Sequence, residues 1–423
     1  MPAGPDDALS RRTFVGGALA LPAVSWLGCG TAAPAAPSPA AVAAPPAWRD
    51  VRRLFALDPR PAHLSAFIYA PHPAPVRAAI ERHRRGLDRD PRSYLRAHAD
   101  DEERAAAAAA RHLGTAAGRI ALTDSTTMGL GIVLGGLRLG PRDEILLSAH
   151  EHLSARAAAA FAARRSGATV RQVTLYPPRA PERATAEGIV GAIERAVTPA
   201  TRVVVVTWVH SSSGIRVPLR DVARAVGGRA LVVVDAAHAL GTGRLAVEDT
   251  GCDVLVAGTH KWLAGPRGTG IAWAGERAWE RIEPATASFR GQGSAGARMT
   301  PGGYHAFEHR WALAEAFALH ERIGPARIGR RIDALAARLR TGLRGIPGVT
   351  VHAPDDPALH SGVVTFSVRD APASPVVGRL EREHDVLASV TPYDVQLARL
   401  GTSWINTPRE VDRAVAAVRA LAG

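Results

Sequence analysis

From Ile120 onward, short β-branched runs alternate with Ala-rich stretches of helical period; the runs lie at 144–147, 169–174, 202–207, 230–234, 254–257 and 270–273. Strands at that cadence imply a mostly parallel sheet flanked by helices. The stretches Val203 to Val206 and Leu231 to Val234 are apolar without polar alternation, the pattern of strands covered on both faces. An α/β domain is therefore expected over about 76–305. After Arg310 the pattern becomes a long Ala/Leu/Arg amphipathic stretch, a strand-like run at 362–368, another helix, and a last helix from about 409 to 422. That reads as a smaller α+β domain over 306–423. Residues 48–75 hold several prolines and little periodicity, and are expected to drape over the small domain.

The N-terminus has another character. Ser10-Arg11-Arg12-Thr13-Phe14 leads into an apolar run ending at Leu27, and residues 1–30 resemble a twin-arginine export signal, followed by an Ala/Pro linker over 31–47. The expectation is export by the twin-arginine machinery to the periplasm or another extracytoplasmic space. Either the signal is cleaved in the Ala-rich stretch, or Cys29 becomes a lipidated N-terminus. The apolar run is too short to span a bilayer and no later segment is long enough, so no transmembrane helix is expected.

Composition narrows the chemistry. The chain has 423 residues, 47% of them hydrophobic, and two cysteines, Cys29 and Cys252, which excludes a disulfide-dense scaffold. No Cys/His spacing suits zinc, and Cys252, just before an apolar strand, reads as a packed thiol. The formal charge of +13 invites a nucleic-acid reading, but the arginines are scattered without a recognition motif, and no such partner is expected. Of 52 Lys and Arg residues, a single one, Lys261, is lysine. Arg and Lys interchange at most surface positions, but only a desolvated lysine amine can form an imine.

The run ending in Asp235-Ala236-Ala237-His238 and the run ending in Gly258-Thr259-His260-Lys261-Trp262 follow one another. Ligands of such sheets collect at the carboxyl ends of strands. From 235 to 261 there are 26 positions, room for a turn, a helix and a return strand, so both side chains can face one crevice. Pyridoxal phosphate needs such a pair: a lysine to hold its aldehyde as a Schiff base, and an acid to keep its pyridine nitrogen protonated. At Thr123-Asp124-Ser125-Thr126-Thr127 a strand ends and an apolar helix begins, offering hydroxyls and free backbone N–H groups to a phosphate.

With these residues on the page, the chain resembles the class V aminotransferase family of pyridoxal-phosphate enzymes, of type I aminotransferase fold. The matching motifs run in order: Thr126-Thr127, Glu151-His152, Asp235 to His238, Thr259 to Trp262, Gly265 to Gly270, and Arg399 through Asn406-Thr407. Phe307 to Trp311 and Val390 to Tyr393 look most like the isopenicillin N epimerase-like branch. The resemblance implies that Lys261, Asp235 and His152 are catalytic, His152 stacking on the cofactor ring, and that Ser211 and His238 bond its hydroxyl side. It further implies that Thr126, Thr127 and His260 hold the phosphate, that Arg399 clamps a substrate carboxylate, and that the enzyme is a homodimer. Cysteine desulfurases of the family need a mobile cysteine that 387–393 lacks, so that activity is disfavoured.

The expected function is proton abstraction by Lys261 from the α-carbon of an amino acid or amine-bearing metabolite, leading to transamination or related amine tailoring first, epimerisation second and β-elimination third. The rival from another class is a cofactor-free, envelope-associated binding protein that keeps the fold without the chemistry.

Overall fold

In the computed structural model the described residues are 45–289, 291–369 and 371–423. The expected export signal, Cys29 and most of the linker lie outside them. The apolar runs form a seven-stranded sheet in the order Ile120–Thr123, Gly270–Ala274, Val254–Gly258, Leu231–Asp235, Thr201–Thr207, Glu144–Ser148, Thr169–Val173. All neighbours are parallel except at Gly270–Ala274, which runs antiparallel to both its partners. The inner strands Glu144–Ser148, Leu231–Asp235 and Val254–Gly258 are buried at every position, because helices cover both faces. The edge strand Thr169–Val173 is largely exposed.

One face packs under helices Asp101–Leu113, Ala186–Ala196 and Leu219–Val226, the other under Thr126–Gly136 and Leu153–Ser166. Gly129 permits the second contact: a Cβ there would lie 2.4 Å from Val256 Cγ1, so only glycine lets that helix sit so close to the strand. The amphipathic stretch after Arg310 is two helices, Phe307–Ile323 and Pro325–Arg344. Gly324, at φ 93°, and Pro325 part them, since proline cannot continue a helix. Phe307–Ile323 packs against Ala74–Arg89 and Asp101–Leu113.

A second, antiparallel sheet orders Ser389–Val390, Ala398–Gly401, Val363–Val368 and Val349–Val351. Its core is shared with helices Pro325–Arg344, Ala373–His384 and Pro408–Ala422, the last started by a capping box between Thr407 and Glu410. Ala62–His63 pairs in parallel with Val386–Leu387, and Asn406 Nδ2 donates to the His63 carbonyl at 3.1 Å, tying residues near 62 to the C-terminal elements. Among the described residues no helix is long and apolar enough to cross a membrane.

Candidate active site

The parallel strands deliver their carboxyl ends to one edge of the large sheet, and the chemistry-bearing residues follow them. Asp235 ends Leu231–Asp235, and Lys261 lies three residues beyond Val254–Gly258, its neighbour. His152 is the N-cap of Leu153–Ser166, and Ser125 caps Thr126–Gly136 by accepting from Met128 N. Around these ends lies a cavity of about 170 Å³ lined by Thr126, Thr127, His152, Ser211, Asp235, His238, His260 and Lys261 among others. The sequence-predicted residues are thus gathered in one place, with one exception.

The exception is Arg399. It is buried and does not line that cavity; Nη1 donates to the Ser211 carbonyl at 2.8 Å and Nε to Ser389 Oγ at 3.0 Å, with Phe67 beneath the guanidinium. Burial pushes it down to about 10. It stands behind Ser211, near enough for its charge to bear on Lys261, His152 and His238.

Electrostatics divide the cavity groups. Burial pushes the Lys261 amine down to about 8, against the pull of Asp235 toward the charged form. Asp235 is raised by burial and drawn back by the Ala237 N–H, Lys261 and His152; Ala237 N donates to Oδ1 at 2.9 Å, and the carboxyl lines the cavity. Burial lowers His152, takes His260 to about 4 and holds His238 well below the ordinary histidine range, so all three are neutral imidazoles at pH 7. Lys261 Nζ lies 3.1 Å from His238 Nε2, and Trp262 Nε1 donates to His238 Nδ1 at 3.3 Å. Gly241 makes the last contact reachable: at φ 87°, a Cβ there would lie 2.4 Å from Leu263 N, so only glycine lets the two segments meet.

These residues fit pyridoxal phosphate by their donor set. The Asp235 carboxyl facing the cavity suits a ring N–H, and the Lys261 amine lining the same cavity suits an aldehyde carbon. The first N–H groups of Thr126–Gly136 have no intrahelical acceptor, which with Thr127 and His260 suits a phosphate. Thr126 Oγ1 already accepts from Gly258 N at 2.6 Å, locking the loop onto the strand that precedes Lys261.

Three features were not assigned from the sequence. Tyr393 Oη lies 2.5 Å from Ser211 Oγ, between this cavity and a larger one of about 660 Å³ lined in part by Glu151, Arg156, Tyr176, Arg179 and Tyr393. Glu151 is fully buried, accepting from Ser148 Oγ, Thr207 N and Thr207 Oγ1. Arg310, 3% exposed, pairs with Glu102 and with Asp124 of the phosphate-side loop, each at 2.9 Å. Cys252 is a free, buried thiol pushed up to about 12 by burial.

The profile of the family "Aminotransferase class-V" matches residues 93–389. The chain is 28% identical over 397 residues to isopenicillin N epimerase of Streptomyces clavuligerus, covering 89% of this chain and 98% of that protein. It is 26% identical over 427 residues to a probable cysteine desulfurase of Xylella fastidiosa, covering 90% and 98%. In fold it is similar to a mutant of C-DES solved with glycine covalently linked to the PLP cofactor, at a TM-score of 0.80 and 23% identity, over 87% of this chain and 98% of that one. With a family profile spanning most of its length, the chain belongs to the aminotransferase class V family of pyridoxal-phosphate-dependent enzymes.

Proposed function

We propose that this enzyme removes the proton from the amine-bearing carbon of an amino acid or related metabolite and completes an amine transfer. The observation that carries the reading is the placement of Lys261 Nζ, which lines one cavity with Asp235 and lies 3.1 Å from His238 Nε2; burial pushes that amine down to about 8 while the imidazoles around it stay neutral. When bound, pyridoxal phosphate supplies an electrophilic aldehyde carbon and an electron-accepting ring. Lys261 Nζ would hold that aldehyde carbon and, as an amine that burial keeps near neutral, is the base that would take the substrate's Cα proton. Asp235 would supply the acid partner of the ring nitrogen. His152 would stack on the ring, Thr126, Thr127 and His260 would hold the phosphate, and Ser211 and His238 would bond the ring-hydroxyl side; all six line the one cavity. Arg399 would have to leave its Ser211 and Ser389 partners in part to meet a substrate carboxylate.

Epimerisation is the second reading, favoured by the full-length similarity to isopenicillin N epimerase. Inversion by two bases would need a second base on the opposite face of the substrate, and the histidines lining the cavity are poorly suited to it. Proton transfer within one face by Lys261 suits amine transfer better. We also read the chain as exported through residues 1–30 and as a homodimer. Incubation with a panel of amino acids in deuterated water tests the reaction. Cα exchange with keto-acid product supports transfer; exchange with loss of chirality and no keto acid supports epimerisation; no exchange with any amino acid contradicts both.

A further inference from the structure

An imidazole nitrogen donates or accepts according to where the single proton of the neutral ring sits. For His238 the far side of the ring settles the matter. Trp262 Nε1 lies 3.3 Å from His238 Nδ1, and an indole N–H can only donate, so Nδ1 is the acceptor and carries no hydrogen. The ring is buried and neutral, which leaves its one proton on Nε2. That N–H faces Lys261 Nζ at 3.1 Å. Only an amine lone pair can accept it; an ammonium would bring hydrogens head to head. Trp262 is itself held in place: its ring is 1% exposed and packs on Phe67 at 5.8 Å, and its carbonyl accepts from Trp404 Nε1 at 2.7 Å.

We propose that Trp262 is a positioning residue for the reactive amine, acting through His238: its indole N–H fixes the histidine tautomer, and the tautomer holds Lys261 with a free lone pair. The charged and titratable groups around the amine sharpen the point. Asp235 favours the ammonium, Arg399 opposes it, and His152 and His260 are neutral. The Trp262–His238 pair is therefore a counterweight to the carboxylate that the ring nitrogen requires. The same tautomer offers the cavity a donor rather than an acceptor, the polarity that suits a ring oxygen carrying negative charge. The functional meaning rests on Lys261 being the imine-forming amine; the proton's position is a property of the chain alone.

A single lysine makes the test direct. The full-length protein, freed of cofactor, is treated with trace acetic anhydride across a pH series, and acetylation of the Lys261 peptide is followed by mass spectrometry, with the chain's α-amine on another peptide as reference. The wild-type midpoint is expected near 8. Trp262→Phe is expected to raise it by about one pH unit, so that about tenfold less amine is reactive at pH 7. His238→Gln, whose amide can accept from an ammonium, is expected to raise it similarly, and Trp262→Phe should add nothing in that background. Equal midpoints in wild type and Trp262→Phe would overturn the proposal, as would an undiminished effect of Trp262→Phe in the His238→Gln background. If Trp262→Phe does not fold, by circular dichroism, His238→Gln decides alone, and an unchanged midpoint there overturns it. Absence of a cofactor imine at Lys261 would sink the proposed function while leaving this midpoint where it is, so the two failures are distinguishable.

Discussion

Ser211 Oγ and Tyr393 Oη are 2.5 Å apart although 182 residues separate them in the chain. Ser211 lines the smaller cavity and Tyr393 the larger, so one hydrogen bond spans the wall between them. Removing the phenol while keeping its ring isolates that bond. Tyr393→Phe is expected to raise KM for substrate about two- to tenfold, the range of one lost hydrogen bond, with cofactor affinity changed less than twofold. Steady-state kinetics beside a cofactor titration checks both; a selective loss of cofactor affinity would contradict the placement.

Asp235 is buried, accepts from Ala237 N and lines the cavity, the position for a ring nitrogen's partner. Asp235→Asn keeps the size and removes the charge. The rate of Cα–H exchange in deuterated water should fall about a hundredfold or more, as when a single stabilising group is removed from an active site. Exchange within threefold of wild type would contradict the role.

Glu151 bears on stability. Burial raises its carboxyl to about 7, above its unfolded range, so the stability it contributes is fully present below its unfolded pKa and is lost as pH rises through about 7. Between about pH 4.5 and 7 wild type should lose up to about 3 kcal/mol on this account, and Glu151→Gln should flatten that slope. Urea unfolding of both proteins across the window measures it. Parallel slopes would show that Glu151 is ionised throughout.

Arg310 is buried between Glu102 and Asp124, and Asp124 belongs to the loop that presents Ser125 and Thr126. Arg310→Met should cost about 3 kcal/mol, near the lower end for breaking a buried pair because Asp124 is partly exposed. It should also weaken cofactor retention by loosening the loop. Chemical denaturation and a cofactor dissociation rate check the two effects; a loss under 1 kcal/mol would make the pair a surface contact in energetic terms.

Much of the site was legible because it is local. A β-branched run followed by Asp235, and the next such run followed by the only lysine, fix two neighbouring strand ends, and register does the rest. Ser125-Thr126-Thr127 was legible for the same reason: a hydroxyl cap and an apolar helix adjoin in sequence. The partners of Ser211 and Arg310 were not, because Tyr393 and Asp124 reach them only through the packing of distant elements. Arg399 shows the remaining limit: the resemblance implies a carboxylate clamp there, and its hydrogen bonds to Ser211 and Ser389, which depend on the register of the small sheet, are not written in the local sequence. The break at Gly324-Pro325 was written in the residues themselves, but the apolar period continues across it and masks the boundary.

The account depends most on Lys261 Nζ as the atom that bonds the cofactor. Borohydride reduction of the cofactor-loaded enzyme, followed by digestion and mass spectrometry, reads that atom directly. The account predicts one pyridoxyl group per chain, on the peptide carrying Lys261, and none in Lys261→Ala. A loaded wild-type protein with no adduct on that peptide, or one found elsewhere, would contradict it.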